Sequence, residues 1–212
     1  MKRAFKRTLA LGLGIAALAV TAAAAPTPKD AKPQARVGDP APAWTLEDLD
    51  GKSHSLADFK GKTVVLEWSN PSCPFIVNAY GKNLVQETIA AMKKMGEDHV
   101  YLVVNSTANK GKDAVMTEQK EFLAKHKVEV PSLVDYDGTV GKAYGARTTP
   151  HMYVIDSKGV LRYHGAFTDD PRFNKGAERT NYVLDALAAI KAGETVSPDY
   201  VQPWGCSVKY AR

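Results

Sequence analysis

A short β-branched run, Thr63 to Trp68 (TVVLEW), leads through Ser69-Asn70-Pro71-Ser72 into Cys73-Pro74. Beyond it the apolar residues Val77, Leu84, Val85, Ile89, Met92 and Met95 fall at helical spacings and stop at Gly96. This junction constrains the chain more than any other stretch. A brief apolar run of this kind is a buried central strand, and a sheet containing one must be covered by helices. Cys73 then stands at a helix start, facing unpaired N–H groups and the positive end of the helix dipole. Pro74 suits the first turn, where its missing N–H costs nothing. A thiol in that position favours the thiolate, and comparable sites bring a cysteine pKa down to about 3.5–7.5. The competing reading is a buried, inert cysteine in a helix cap.

The flanking pattern repeats the alternation of strand and helix. Ala43 to Leu49 and Ser53 to Leu56 bracket Asp50-Gly51, a strong hairpin signal. Val100 to Val104 reads as a strand, Asp113 to His126 as a helix, Val134 as the start of a short strand and Thr139 to Tyr144 as a short helix. His151 to Asp156 and Val160 to Gly165 form two strands about Ser157-Lys158-Gly159, and Tyr182 to Ile190 is a closing helix. The expected class is α/β, with a central mixed sheet flanked by helices and an N-terminal β-hairpin. One domain over residues 37–195 suffices. Phe167 to Thr180 reads as an insertion-like loop, and residues 196–212 as a flexible tail without periodicity.

The first residues are read as a targeting segment. Lys2, Arg3, Lys6 and Arg7 precede an uncharged apolar stretch, Leu9 to Val20, and small residues at Thr21 to Ala25. That is the pattern of a secretory signal peptide over residues 1–24, cleaved after Ala24, with residues 25–36 a Pro- and Lys-rich disordered lead-in. The stretch falls short of the roughly 20 apolar residues of a spanning helix, so membrane contact is expected only through the signal peptide. The formal charge of +5 includes those four basic residues, leaving +1 for the mature chain. A basic surface for nucleic acid is therefore not expected. The implied compartment is periplasmic or extracellular. Two cysteines, Cys73 and Cys206, survive cleavage, and an oxidising compartment permits a disulfide between them.

Val37-Gly38-Asp39-Pro40-Ala41-Pro42, Leu46-Glu47-Asp48, Asp50-Gly51-Lys52 and Leu56 to Lys62 together resemble the opening of the redoxin superfamily. That superfamily holds the peroxiredoxins of the alkyl hydroperoxide reductase and thiol-specific antioxidant type, and the exported thioredoxins. Thr148-Thr149-Pro150 before Met152 to Asp156 resembles the cis-proline loop that faces the active cysteine in the thioredoxin fold. The resemblance runs from about Val37 to Ile190 and implies a thioredoxin-like fold, a reactive Cys73, and a Thr149–Pro150 backbone that pairs with an extended substrate. It also implies that Glu67, six residues before Cys73, is the buried carboxylate behind the cysteine, with a raised pKa and a proton-shuttling role.

Two departures qualify the match. The second position of a C-x-x-C pair is Ile76, so a dithiol within the motif is absent. The peroxiredoxin setting is absent too, since Asn70 and Leu66 precede Cys73 by three and seven residues, and Pro150 stands in place of the family arginine, with Arg147 out of register. The chain most resembles a peroxiredoxin-like branch with a lone Cys-Pro-Phe cysteine.

Three roles are open for Cys206: a resolving thiol reaching Cys73 from the tail, half of a permanent disulfide, or a link between chains. The function expected is a thiol oxidoreductase whose Cys73 attacks a disulfide or peroxide, with a thiol or disulfide protein partner and an external thiol reductant. The alternative is a non-catalytic envelope binding module stapled by Cys73–Cys206. No cofactor is expected. His54, His99, His126, His151 and His164 lack metal-ligand spacing, Gly111-Lys112 lacks phosphate-loop spacing, and Asp169-Asp170 reads as a solvated loop.

Overall fold

The structure is a computed structural model that describes residues 35–211; residues 1–24, read above as a signal peptide, and nearly all of the expected lead-in lie outside the described residues. A hairpin of β1 (Thr45–Glu47) and β2 (Ser53–Ser55) precedes the central strand β3 (Thr63–Trp68). Helices α1 (Pro74–Gly81) and α2 (Leu84–Met95) lead to β4 (His99–Asn105), α3 (Lys112–Lys125), β5 (Ser132–Val134) and α4 (Thr139–Tyr144). Next come β6 (Thr148–Thr149), β7 (His151–Ile155), β8 (Leu161–Gly165) and α5 (Tyr182–Ala192), then β9 (Tyr200–Val201) and β10 (Cys206–Ser207).

Six strands form one sheet in the order β5-β4-β3-β7-β8-β9. β3 runs parallel to β4 and antiparallel to β7, so the sheet is mixed, as expected. Every residue of β3 is buried, and its two faces serve two cores. Val65 packs with Tyr101, Val103, Met152 and Val154 against Ile76, Tyr80, Leu84, Val183 and Leu187 of α1, α2 and α5. Val64, Leu66 and Trp68 pack on the other side with Leu102, Val104, Tyr144, Tyr153 and Ile155. The alternation follows from the two-residue period of a strand. Glu67 therefore points to the face that α1 covers. Among the described residues no helix is long and apolar enough to cross a membrane.

Three expectations are corrected. The helix expected from Pro71 to Gly96 is two helices, because Asn83 takes a left-handed conformation (φ 59°) between them. Apolar spacing continues across the break and hides it, although Asn is among the few residues that adopt that conformation readily. The 167–180 segment is tightly held: Asp170 accepts hydrogen bonds from the backbone of Asn174 and Lys175 at 2.9 and 2.8 Å, and Asp169 accepts one from Thr180 and pairs with Lys175. Both carboxylates are thus taken up inside the loop, and Asp170 is buried. Finally, the tail is docked. β9 lies parallel to β8 on the sheet edge, and β10 pairs antiparallel with β6.

Candidate active site

Local turn chemistry sets the position of Cys73. The Asn70 side chain accepts the Ser72 N–H at 2.9 Å, and the Cys73 N–H donates to the Asn70 carbonyl at 2.9 Å. Asn followed by Pro is a favoured start for such a turn. Cys73 is the N-cap of α1, with extended backbone (φ −85°, ψ 122°) and Pro74 in the first turn. The residue is only 2% exposed. Its Sγ donates to the Thr149 carbonyl at 3.1 Å, and the Thr149–Pro150 peptide bond is cis.

The tail supplies the other half of the site. Cys206 is the direct partner of Thr149 in the β6–β10 ladder, and Ser207 is the partner of Thr148. The edge expected to receive an extended substrate is therefore occupied by the chain's own strand. Both cysteines are free thiols and line one pocket of about 270 Å³, with Asn70, Ser72, Lys110 and Lys209 on its walls.

Several anchors hold this strand. The Trp204 indole N–H donates to the Thr168 carbonyl at 2.7 Å, and its ring packs on Phe75 and Phe173 with centroids 5.8 and 6.0 Å away. The Tyr210 hydroxyl donates to the Ala146 carbonyl at 2.8 Å, and its ring fills space above Gly138 and Gly141 that a Cβ would take. Gly205, at φ +131°, passes so close to the Thr149 carbonyl that a Cβ there would collide with it. Sequence reasoning singled out none of Trp204, Gly205 and Tyr210. Their signal is an aromatic-glycine-cysteine cluster whose contacts are all distant in sequence.

The two thiols are electrostatically unlike. Burial opposes ionisation of Cys73. It is outweighed by hydrogen bonds from the Cys206 thiol, from the Thr149 side chain and from the backbone of Ile76 and Cys206, so the Cys73 pKa is lowered. Burial, then the hydrogen bond and charge of Cys73, push Cys206 up to about 11.

Glu67 is fully buried and accepts hydrogen bonds from Tyr101 at 2.6 Å and Tyr80 at 3.1 Å, both on Oε2. Its Oε1 has no hydrogen-bond partner. Burial dominates and pushes its pKa up to about 7, with Tyr101, Ser69 and Tyr80 pulling partly the other way. The raised value matches expectation, and Tyr80 ties the carboxylate to the helix that Cys73 caps. His151, next to Pro150, packs against Tyr153 and His164. Among the described residues no group of three His, Cys, Asp or Glu side chains is placed to hold a metal ion.

A profile of the Redoxin family matches residues 36–182. The chain belongs to the Redoxin family. Two curated relatives of this redoxin show its breadth. The thiol-disulfide oxidoreductase ResA of Bacillus thuringiensis is 28% identical over 132 residues, covering 59% of this chain and 66% of that protein. The chloroplastic peroxiredoxin Q of Oryza sativa subsp. japonica is 31% identical over 137 residues, covering 59% of this chain and 57% of that protein. The chain thus spans under two thirds of the length of these relatives. Among solved structures, a conserved protein of Geobacillus kaustophilus has a TM-score of 0.72 at 27% identity, covering 83% of this redoxin and 93% of that chain.

Proposed function

We propose that this chain is an exported thiol oxidoreductase in which Cys73 is the nucleophile and Cys206 its resolving thiol. One observation carries the reading. Thr149 bonds through its carbonyl to Cys73 and pairs in the β-ladder with Cys206, so one residue brings both sulfurs to one pocket.

In the favoured reaction the Cys73 thiolate attacks one sulfur of a substrate disulfide. A mixed disulfide forms, and one substrate thiolate leaves. The negative charge of Cys73 is then gone, which removes part of what holds the Cys206 proton. Cys206, as a thiolate, attacks the Cys73 sulfur, forms the internal disulfide and releases the second substrate thiol. Glu67, titrating near pH 7 on the α1 face of the sheet, takes up or yields a proton as thiols change charge. Thr149 and Pro150 orient Cys73 and the resolving strand. The small pocket over a buried Cys73 supports a second substrate, a peroxide. There Cys73 takes one oxygen as sulfenic acid with release of an alcohol or water, and Cys206 condenses with it to give the same disulfide and water.

The pattern of Met1 to Ala24 supports export. The test uses two variants. Cys73→Ser abolishes turnover of both substrate types, and Cys206→Ser accumulates a mixed-disulfide or sulfenic species on Cys73. Capture of no such species contradicts the proposal.

A further inference from the structure

A second pocket, of about 360 Å³, shares no lining residue with the cysteine pocket. Its walls include Tyr144, Arg147, His151, His164, Tyr200 and Pro203. Tyr144 belongs to the core on one face of the sheet and Cys73 to the core on the other. The Arg147 side chain is exposed and makes no ion pair among the described residues. His151 is buried, and its Nδ1 accepts the Arg147 backbone N–H at 3.2 Å. The neutral ring therefore carries its proton on Nε2. That Nε2–H is buried and has no acceptor, a state proteins rarely leave unmet. The His164 ring lies 5.8 Å from that of His151, and its buried Nδ1 also lacks a partner. Burial, then the charges of His164 and Arg147, hold His151 at about 3, so it stays a neutral donor at pH 7. Burial lowers His164 as well; Asp199 opposes this and Arg147 adds to it. No carboxylate lines the pocket.

We propose that this pocket binds a small organic carboxylate. The Arg147 guanidinium takes the two carboxylate oxygens, one of which also accepts from the His151 Nε2–H. The apolar body of the acid lies against the Tyr200 ring and Pro203. Three features favour this class of ligand. A planar carboxylate matches the guanidinium fork, and the pair is stronger than one between neutral groups. The walls pair aromatic and apolar surface with a few polar groups, and the volume admits a small acid whole. A metal cation would face the Arg147 charge and a protonated Nε2. Tyr200 and Pro203 belong to the segment that leads to Cys206, and the Arg147 carbonyl accepts the Val208 N–H at 3.0 Å. The pocket is therefore complete only when the tail is docked.

The experiment titrates sodium benzoate into the reduced full chain and follows the imidazole signals of His151 and His164 by NMR. Saturable shifts of both rings are expected, with a dissociation constant of about 1 mM or tighter. Benzamide, which has the same shape without the charge, should bind at least about tenfold more weakly. Arg147→Gln should weaken benzoate binding by at least about the same factor. That side chain is exposed and its backbone bonds survive the change, so the fold persists. No saturation by benzoate, equal binding of benzamide, or undiminished binding by the variant overturns the proposal. Tighter binding of inorganic phosphate, or displacement of benzoate by zinc, assigns the pocket to another class of ligand and overturns it as well.

Discussion

Cys206 and Thr149 lie directly opposite one another in a two-residue antiparallel ladder, and the Thr149 carbonyl accepts the Cys73 thiol at 3.1 Å. The cis-proline loop thus serves the chain's own tail as a β-partner. That relationship gives a redoxin without a C-x-x-C pair a second sulfur from 133 residues downstream. Several outcomes depend on it.

Cys73 should ionise below the ordinary value of a free thiol, because the hydrogen bonds to its sulfur outweigh its burial. Its alkylation by iodoacetamide, followed against pH by mass spectrometry, has a midpoint below that value. Cys206→Ala removes the foremost hydrogen bond that offsets burial of Cys73, so the midpoint moves up. An unchanged midpoint in the variant contradicts this coupling.

Glu67 should make the fold less stable as pH rises. Its folded pKa of about 7 lies above the unfolded value, so the folded state holds the extra proton between roughly pH 4.5 and 7. The stabilisation is complete below the unfolded pKa and is lost as pH rises through the folded one. The shift corresponds to about 3 kcal/mol across that window. Chemical denaturation at pH 5 and pH 8 should show the fall, and Glu67→Gln should abolish most of it. An equal pH dependence in the variant means that Glu67 is ionised in the folded protein at all these values.

Gly205→Ala should loosen the β6–β10 pairing without disturbing the central sheet. The added Cβ strikes the Thr149 carbonyl, and φ +131° is strained for an alanine. A misplacement costing about 1.4 kcal/mol slows formation of the Cys73–Cys206 bond about tenfold. Stopped thiol titrations measure that rate, and an unchanged far-UV spectrum shows that the fold persists.

Much of this is legible in the sequence. The β3–Cys73–Pro74 junction stood out because a buried strand, a turn and a first-turn proline each have local signatures. Glu67 stood out because a carboxylate in an apolar run needs a buried purpose. Its partners did not, since Tyr80 and Tyr101 reach it only through the phase of α1 and the β3–β4 register. The docked tail was illegible for a related reason. A two-residue strand has no period, and Trp204 and Tyr210 are held by Thr168, Phe75, Phe173 and Ala146, all far away in sequence. The helix break at Asn83 was masked by apolar spacing that runs on through it.

The most direct measurement is non-reducing peptide mapping of the reduced chain after treatment with one equivalent of oxidised glutathione or hydrogen peroxide. If Cys73 and Cys206 are a redox pair, the monomer yields one cross-linked peptide containing both cysteines. It forms rapidly and is reversed by added dithiol. A stable glutathione or sulfenic adduct on Cys73 beside a free Cys206, or a bond only between chains, would contradict it.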